Sequence, residues 1–324
     1  MHMHRDIAGI ETSPPETHRT LDFGARMERP GMSDIPAARQ AVPPESIAPG
    51  DLTPGQTAQR LVEWSAAKSV LSADRLIVLG LLAGAFIAIG GAFFTGVMAE
   101  ASIGHGPSRL LGGIVFSSGL LLVCVSGAEL STGNCMLVAA WACRRLTLGD
   151  VGRNLLMSYA ANAAGALALV VLMAGSGLLQ SGHGGVAAAI AEAKMHLSFE
   201  QAFVRGVLCN ALVCIAVWTM LSARTIPAKL AGLIFPISAF ITLGFEHSIA
   251  NFYLLPAGLL AGAAGSLGAA VANLIAVTLG NLVGGLAISL AIWMAYLRGP
   301  DSEPACSTRF SLGSRRTTQV PLSG

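Results

Sequence analysis

Six apolar stretches run along the chain, at about 76–99, 110–141, 154–179, 200–222, 230–258 and 270–297, separated by short polar segments. Each is near the roughly 20 residues that a helix needs to cross hydrocarbon. The pattern therefore predicts six transmembrane helices. The second and fifth stretches are long and are interrupted by polar residues. Upstream, residues 55–75 put Leu61, Trp64, Val70 and Leu71 broadly on one helical face. Such a helix is expected to lie along the bilayer surface, with Lys68 and Arg75 flanking the membrane. Residues 1–53 are Pro-rich and lack the apolar core of a signal peptide. They and the polar residues 299–324 read as disordered tails around a transmembrane domain of 54–298.

The two halves of the chain share spacings. Gly127-Ala128-Glu129 is followed by Asn134, and Gly244-Phe245-Glu246 by Asn251, both in the pattern G-x-E-x4-N. Asn154-Leu155 with Asn162, Gly165 and Leu167 matches Asn273-Leu274 with Asn281, Gly284 and Leu286. The shift is 117 residues for the first pair and 119 for the second. Three spans per repeat is an odd number, so the second copy crosses in the opposite direction. The expected architecture is an all-α membrane protein with a 3+3 inverted repeat and a pathway at the repeat interface.

Charge sharpens this picture. Only 12 % of residues are charged, against about 25 % in a soluble domain. A net charge of +2 gives no footprint for nucleic acid. Arg60, Lys68, Arg75, Arg144, Arg145, Arg153, Arg224, Lys229 and Arg298 fall on one side of the six spans, and Arg109, Lys194 and Arg205 on or near the other. This bias puts both termini in the cytoplasm. The six cysteines form no C-x-x-C pair and read as small hydrophobes rather than a disulfide framework. His2 and His4 alone do not make a metal site, and no cofactor is expected. A membrane redox enzyme needs paired span histidines or a cysteine cluster; only one histidine falls inside a span.

Within the spans ionisable groups are nearly absent except Glu129, Glu246 and His247. Such groups face a cavity or a partner. They sit among Gly, Ser and Thr, in Ser126–Asn134 and Gly244–Ser248, which predicts that spans 2 and 5 are broken there. Glu129 and Glu246 are read as caps on backbone N–H groups at the breaks, with a role in transport as the alternative. Asn134, Asn251, Asn162 and Asn281 are read as structural hydrogen-bonders. His247 has Leu130 as its repeat counterpart, so symmetry does not require it. It is either a satisfied core residue or a group for proton exchange with a weak acid. Thr132, in the opposite break, can donate a hydrogen bond to an anion.

At these residues the chain resembles the formate/nitrite transporter family. The resemblance rests on Gly127-Ala128-Glu129-Leu130 with Thr132-Gly133-Asn134, on Arg205–Asn210 with Val217-Trp218, on Phe245-Glu246-His247-Ser248-Ile249-Ala250-Asn251, and on Thr278-Leu279-Gly280-Asn281 with Gly284-Gly285. It covers roughly residues 54–298. It implies an aquaporin-like fold, a homopentamer with one pore per subunit in the inner (plasma) membrane, and passage of small monovalent anions such as formate, nitrite or hydrosulfide. It further implies His247 as the central histidine, Thr132 as the loop threonine and Lys194 as the vestibule lysine. Phe116, Leu120, Leu130 and Phe240 match the apolar constrictions.

The expected pathway is therefore His247, Thr132, Lys194, Asn251 and Glu246, narrowed by Phe116, Leu120, Leu130, Ser131 and Phe240. Ser131 stands where the family usually has Phe, and Ala276 where it commonly has Pro. A constriction without the aromatic ring is wider or wetter, which favours hydrosulfide or a neutral small solute as the alternative cargo. Lys194 would concentrate anions, and the apolar rings would oppose a bare charge. The anion then crosses either as a neutral acid protonated through His247, or charged and held by Thr132.

Overall fold

The computed structural model describes residues 51–100, 103–298 and Cys306. The expected tails lie outside these residues except for 51–53 and Cys306. Eleven helices are described: α1 (Pro54–Ser69), α2 (Ala73–Glu100), α3 (His105–Ser126), α4 (Ser131–Asn134), α5 (Leu137–Ala142), α6 (Leu148–Gly175), α7 (Gly182–Met195), α8 (Phe199–Ser222), α9 (Ile226–Leu243), α10 (Ser248–Leu260) and α11 (Leu267–Tyr296). A single 3-10 turn, Leu178–Gln180, precedes α7. No strand occurs among the described residues. Among the described residues six helices are long and apolar enough to cross a membrane: α2, α3, α6, α8, α9 and α11.

Local chemistry sets the starts of several helices. Thr53 and Gln56 form a reciprocal capping box at α1, Thr147 and Asp150 at α6, and Ser198 and Gln201 at α8. Each pair satisfies orphan donors of the first turn. The expectation for the N-terminal helix needs correction. Helix α1 ends at Ser69, and Val70 beyond it is exposed. Its apolar face does not look outward: Ala58, Leu61 and Val62 are fully buried, and the helix packs on α5 and α8. Apolar side chains bury equally well against protein, and here the gap beside those two helices receives them.

Helix α2 packs on α3 and α6, and α8 packs on α9 and α11. Both α2–α6 and α8–α11 cross at very short range. A side chain at Gly165 would run into the backbone carbonyl of Leu81, and one at Gly284 into that of Val207. Close backbone approach through small residues is how membrane helices gain packing, because lipid removes the usual hydrophobic drive between them. The cysteine expectation also needs correction. Cys143, just after α5, is disulfide-bonded to Cys306, while Cys124, Cys135, Cys209 and Cys214 are free. A sequence separation of 163 residues leaves such a pairing no local signal.

The crossings make a testable contrast on one helix. Gly165→Ala is expected to destabilise the protein by about 1–3 kcal/mol through overpacking. Gly152→Ala, where an added carbon meets open space, is expected to be neutral or stabilising. Thermal melts in detergent check both, and equal melting of the two variants contradicts the close-approach reading.

Candidate functional site

Helix α3 ends at Ser126, and Gly127 adopts a left-handed conformation with φ 69°. The chain runs through Ala128 and Glu129 to an extended Leu130 before α4 begins. Helix α9 ends in the same way at Gly244, φ 73°, and the chain passes through Phe245 and Glu246 to an extended His247 before α10. Only glycine takes this conformation without strain.

Both interruptions are held by an asparagine from another helix. Asn162 of α6 accepts from the Ser131 amide at 2.9 Å and donates to the carbonyls of Glu129 and Gly80, both at 2.8 Å. Asn281 of α11 accepts from the Ser248 amide at 2.9 Å and donates to the carbonyls of Glu246 at 2.9 Å and Gly206 at 2.8 Å. Each amide group thus ties an interruption to a long helix, α2 in one half and α8 in the other.

The two glutamates are 2 % and 3 % exposed, so each needs a partner. They do not cap backbone N–H groups as expected; side chains engage them instead. Glu129 accepts from Lys68 through Oε1 and from Asn134 through Oε2 at 2.7 Å, and Asn134 also donates to Asn154 at 2.8 Å. Glu246 accepts from Lys194 through both oxygens at 2.9 Å and from Asn251 at 2.8 Å, and Asn251 also donates to Asn273 at 2.9 Å. Lys68, expected to flank the membrane, does not stand free in solvent. It is buried, its ammonium lies 4.3 Å from the Trp64 ring, and it is held by Glu129. Burial pulls its pKa below the usual lysine value, against the raising effect of that carboxylate.

His247 is the N-cap of α10. Its Nδ1 accepts from the Ala250 amide at 3.1 Å, and its Nε2 lies 3.1 Å from the Thr132 hydroxyl. An Nδ1 that accepts fixes the neutral tautomer, with the ring proton on Nε2. Nε2–H then donates to Thr132 Oγ1, and the threonine hydrogen is left for a further acceptor. The imidazole stacks on Phe240 at 6.0 Å, and Phe240 meets Phe116 edge-on at 5.7 Å.

Two cavities of comparable size lie at either end of this aromatic cluster. One, of about 380 Å³, is lined by Trp64, Lys68, Leu120, Glu129 and Leu130. The other, of about 390 Å³, is lined by Arg109, Lys194, Arg205, Phe245 and Glu246. Helix α3 reaches both, with Arg109 in one and Leu120 in the other, about 17 Å apart along its axis. Phe116 lies between them on the same helix. Of the expected residues, His247, Thr132, Phe116 and Phe240 thus cluster between the cavities. Lys194 and Glu246 line one cavity, and Leu120 and Leu130 the other. Asn251 supports Glu246 from behind. Ser131 lines neither of them but a third cavity between α6 and α11, whose wall Thr132 also reaches.

Lys68, Arg109 and Arg205, expected only to mark the sides of the membrane or the family motif, also line the cavities. Arg109 donates to the carbonyl of Ile241 at 2.7 Å and Arg205 to that of Gly244 at 3.3 Å, so both bind the last turn of α9. Lys68 had a signal: Glu129 and Glu246 occupy matching positions, and a buried carboxylate in each half calls for a cation in each half.

The Formate/nitrite transporter family matches residues 55–295. Formate channel FocA of Escherichia coli (strain K12) is 34 % identical over 274 residues, covering 77 % of this chain and 96 % of that protein. A probable formate transporter of Methanothermobacter thermautotrophicus is 37 % identical over 268 residues, covering 76 % and 97 %. Among solved structures, a pentameric formate channel with formate bound is similar with a TM-score of 0.61 at 33 % identity, covering 70 % of this chain and 98 % of that one. An FNT family ion channel gives 0.68 at 27 % identity, covering 74 % and 98 %. With a match of that extent and six membrane-length apolar helices, the chain is a multi-pass membrane protein and belongs to the formate/nitrite transporter family.

Proposed function

We propose that the protein passes small monovalent anions of weak acids, formate and nitrite foremost, across the inner (plasma) membrane. The relatives named as formate channels and transporters support this cargo. The observation that carries it is the 3.1 Å contact between His247 and Thr132, set between two cavities that each hold a lysine.

On this reading residues 54–298 form the channel domain. Its halves are an inverted repeat in an aquaporin-like arrangement, with spans 2 and 5 broken where α3 meets α4 and α9 meets α10. The matching of Lys68–Glu129–Asn134–Asn154 with Lys194–Glu246–Asn251–Asn273 supports the repeat. Five copies assemble, each with its own pathway, as in the solved relative described as pentameric. Both termini face the cytoplasm, which puts the Lys68 cavity inside and the Lys194 cavity outside.

An anion in the outer cavity is drawn by Lys194, Arg109 and Arg205. Phe116, Phe240, Leu120 and Leu130 then oppose a bare charge, since desolvation is costly. The Thr132 hydroxyl, its oxygen already bonded by His247, donates its hydrogen to the anion. Proton coupling adds one step. A proton from water binds at Nδ1, which gives up the Ala250 bond. The ring then passes its Nε2 proton to Thr132 Oγ1 as that hydroxyl gives its own hydrogen to the anion, which crosses as the neutral acid; loss of the Nδ1 proton to water and reprotonation of Nε2 from water restore the resting tautomer. Glu246 and Asn251 hold Lys194 and the turn before His247 in place.

Stopped-flow uptake by proteoliposomes tests the cargo and the relay together, comparing formate, nitrite and hydrosulfide across pH. His247→Phe is expected to lower formate uptake roughly 100-fold and to remove its pH dependence. Unchanged pH dependence would rule out the relay, and hydrosulfide passing far faster than formate would replace the proposed cargo. Lys194→Ala is expected to reduce uptake roughly tenfold at low salt, with the deficit shrinking in wild type and variant comparisons as salt screens the field. Lys68→Met strands Glu129 without its cation and is expected to cost about 3–5 kcal/mol of stability. Adding Glu129→Gln should recover most of that loss in a thermal melt; if single and double variants melt alike, the ion pair carries no weight.

A further inference from the structure

Helix α9 carries a proline in its interior, Pro236. Proline has no N–H to give to the carbonyl one turn earlier, here that of Gly232, and its ring crowds that carbonyl. In hydrocarbon a carbonyl freed in this way needs a donor from a neighbouring helix. Thr219 of α8 supplies it, with its hydroxyl 2.9 Å from the Gly232 carbonyl. The same hydroxyl lies 2.9 Å from the carbonyl of Ala216 on its own helix. That second carbonyl already takes a helical N–H, so the one hydroxyl hydrogen gains more at Gly232. Gly232 permits the approach: a side-chain carbon there would meet Thr219 Cβ and Oγ1 at 3.0 Å.

Beyond Pro236 other contacts hold α9. A side-chain carbon at Gly113 of α3 would come 2.7 Å from Ser238 Cα, and Arg109 and Arg205 donate to the carbonyls of Ile241 and Gly244. Pro236 thus separates the part of α9 tied to Thr219 from the part that carries Phe240. Phe240 meets Phe116 edge-on and stacks on His247. It lies about 6 Å along the axis from Pro236, so a change of about 10° in the bend there moves it by about 1 Å.

We infer that Thr219 is a positioning residue for the central constriction: its bond to the Gly232 carbonyl sets the bend of α9 at Pro236, and with it the seat of Phe240 between Phe116 and His247. Thr219 lines none of the three cavities itself and acts on the pathway through α9. The consequence for transport rests on the reading of Phe240 as part of the constriction. A ring seated less tightly admits acetate beside formate, because the extra methyl group then meets less resistance.

The test uses the full-length protein in liposomes. Solid-state NMR of histidine-labelled protein reads the His247 ring, whose signals are identified by their loss in His247→Phe. Phe240→Leu removes the stacked ring and shows how those signals move. Thr219→Val keeps the shape of the side chain without the hydroxyl and is expected to shift them too, while Thr219→Ser leaves them in place. Pro236→Ala returns a backbone donor to Gly232, so adding Thr219→Val to it is expected to cause no further shift. Thr219→Ala gives the same readout if the valine variant does not assemble. In uptake assays Thr219→Val is expected to lower formate uptake about tenfold and to raise the acetate-to-formate ratio about threefold, with Thr219→Ser close to wild type. Unmoved His247 signals in Thr219→Val overturn the inference, and so does an equal shift on the Pro236→Ala background. Shifted signals with unchanged uptake and ratio uphold the positioning and sink instead the reading of Phe240 as a constriction.

Discussion

Hydrocarbon offers no hydrogen bonds, and every backbone group placed there must find its partner within the protein. In this molecule that demand is most acute where α3 gives way to α4 and α9 to α10. Two carboxamides meet it. Asn162 and Asn281 each use their oxygen on the amide that starts a short helix and their nitrogen on two carbonyls, one within the interruption and one on a long neighbouring helix. One side chain thereby closes the backbone account of the interruption and fixes its depth against α2 or α8. The close crossings at Gly165 and Gly284 bring those neighbours near enough for the asparagines to reach.

Charge burial follows the same logic. A lone carboxylate at this depth would take up a proton rather than stay ionised. Lysine and asparagine on Glu129, and again on Glu246, leave neither carboxyl group without a partner. Both carboxylates lie on the walls of the cavities, with their lysines beside them. Each cavity therefore carries one lysine–glutamate pair, with Arg75 also on the wall of the first and Arg109 and Arg205 on that of the second, while Phe116 and Phe240 between them bring no charge.

The class of fold was legible because lipid imposes long apolar helices, and nothing else produces runs such as 76–99 or 270–297 at this density. The polar residues of the site stood out for the same reason, since Glu129, Glu246 and His247 are conspicuous against an apolar background. Their partners were harder to see. Lys68 sits in a segment whose pattern suits a membrane surface equally well, and only the three-dimensional placement of α1 shows that it reaches Glu129. The cap that the glutamates were expected to provide comes instead from His247 and the two asparagines, because the lysines claim the carboxylates first. The pairing of Cys143 with Cys306 depends on chain closure over a long loop and leaves no mark on local sequence.

The two interruptions are built from the same parts but carry different side chains at one point, Leu130 in the first and His247 in the second. The residues on either side and a distant carboxamide make the same bonds in both interruptions, whichever side chain stands there. The scaffold thus works as a socket: the group at this position is presented at the centre of the protein, and the imidazole adds bonds of its own, from the Ala250 amide and to Thr132, that a leucine does not make. One of two matching positions can thus carry an imidazole while the other keeps a hydrocarbon group, and chemistry can be altered by a single exchange without rebuilding the frame.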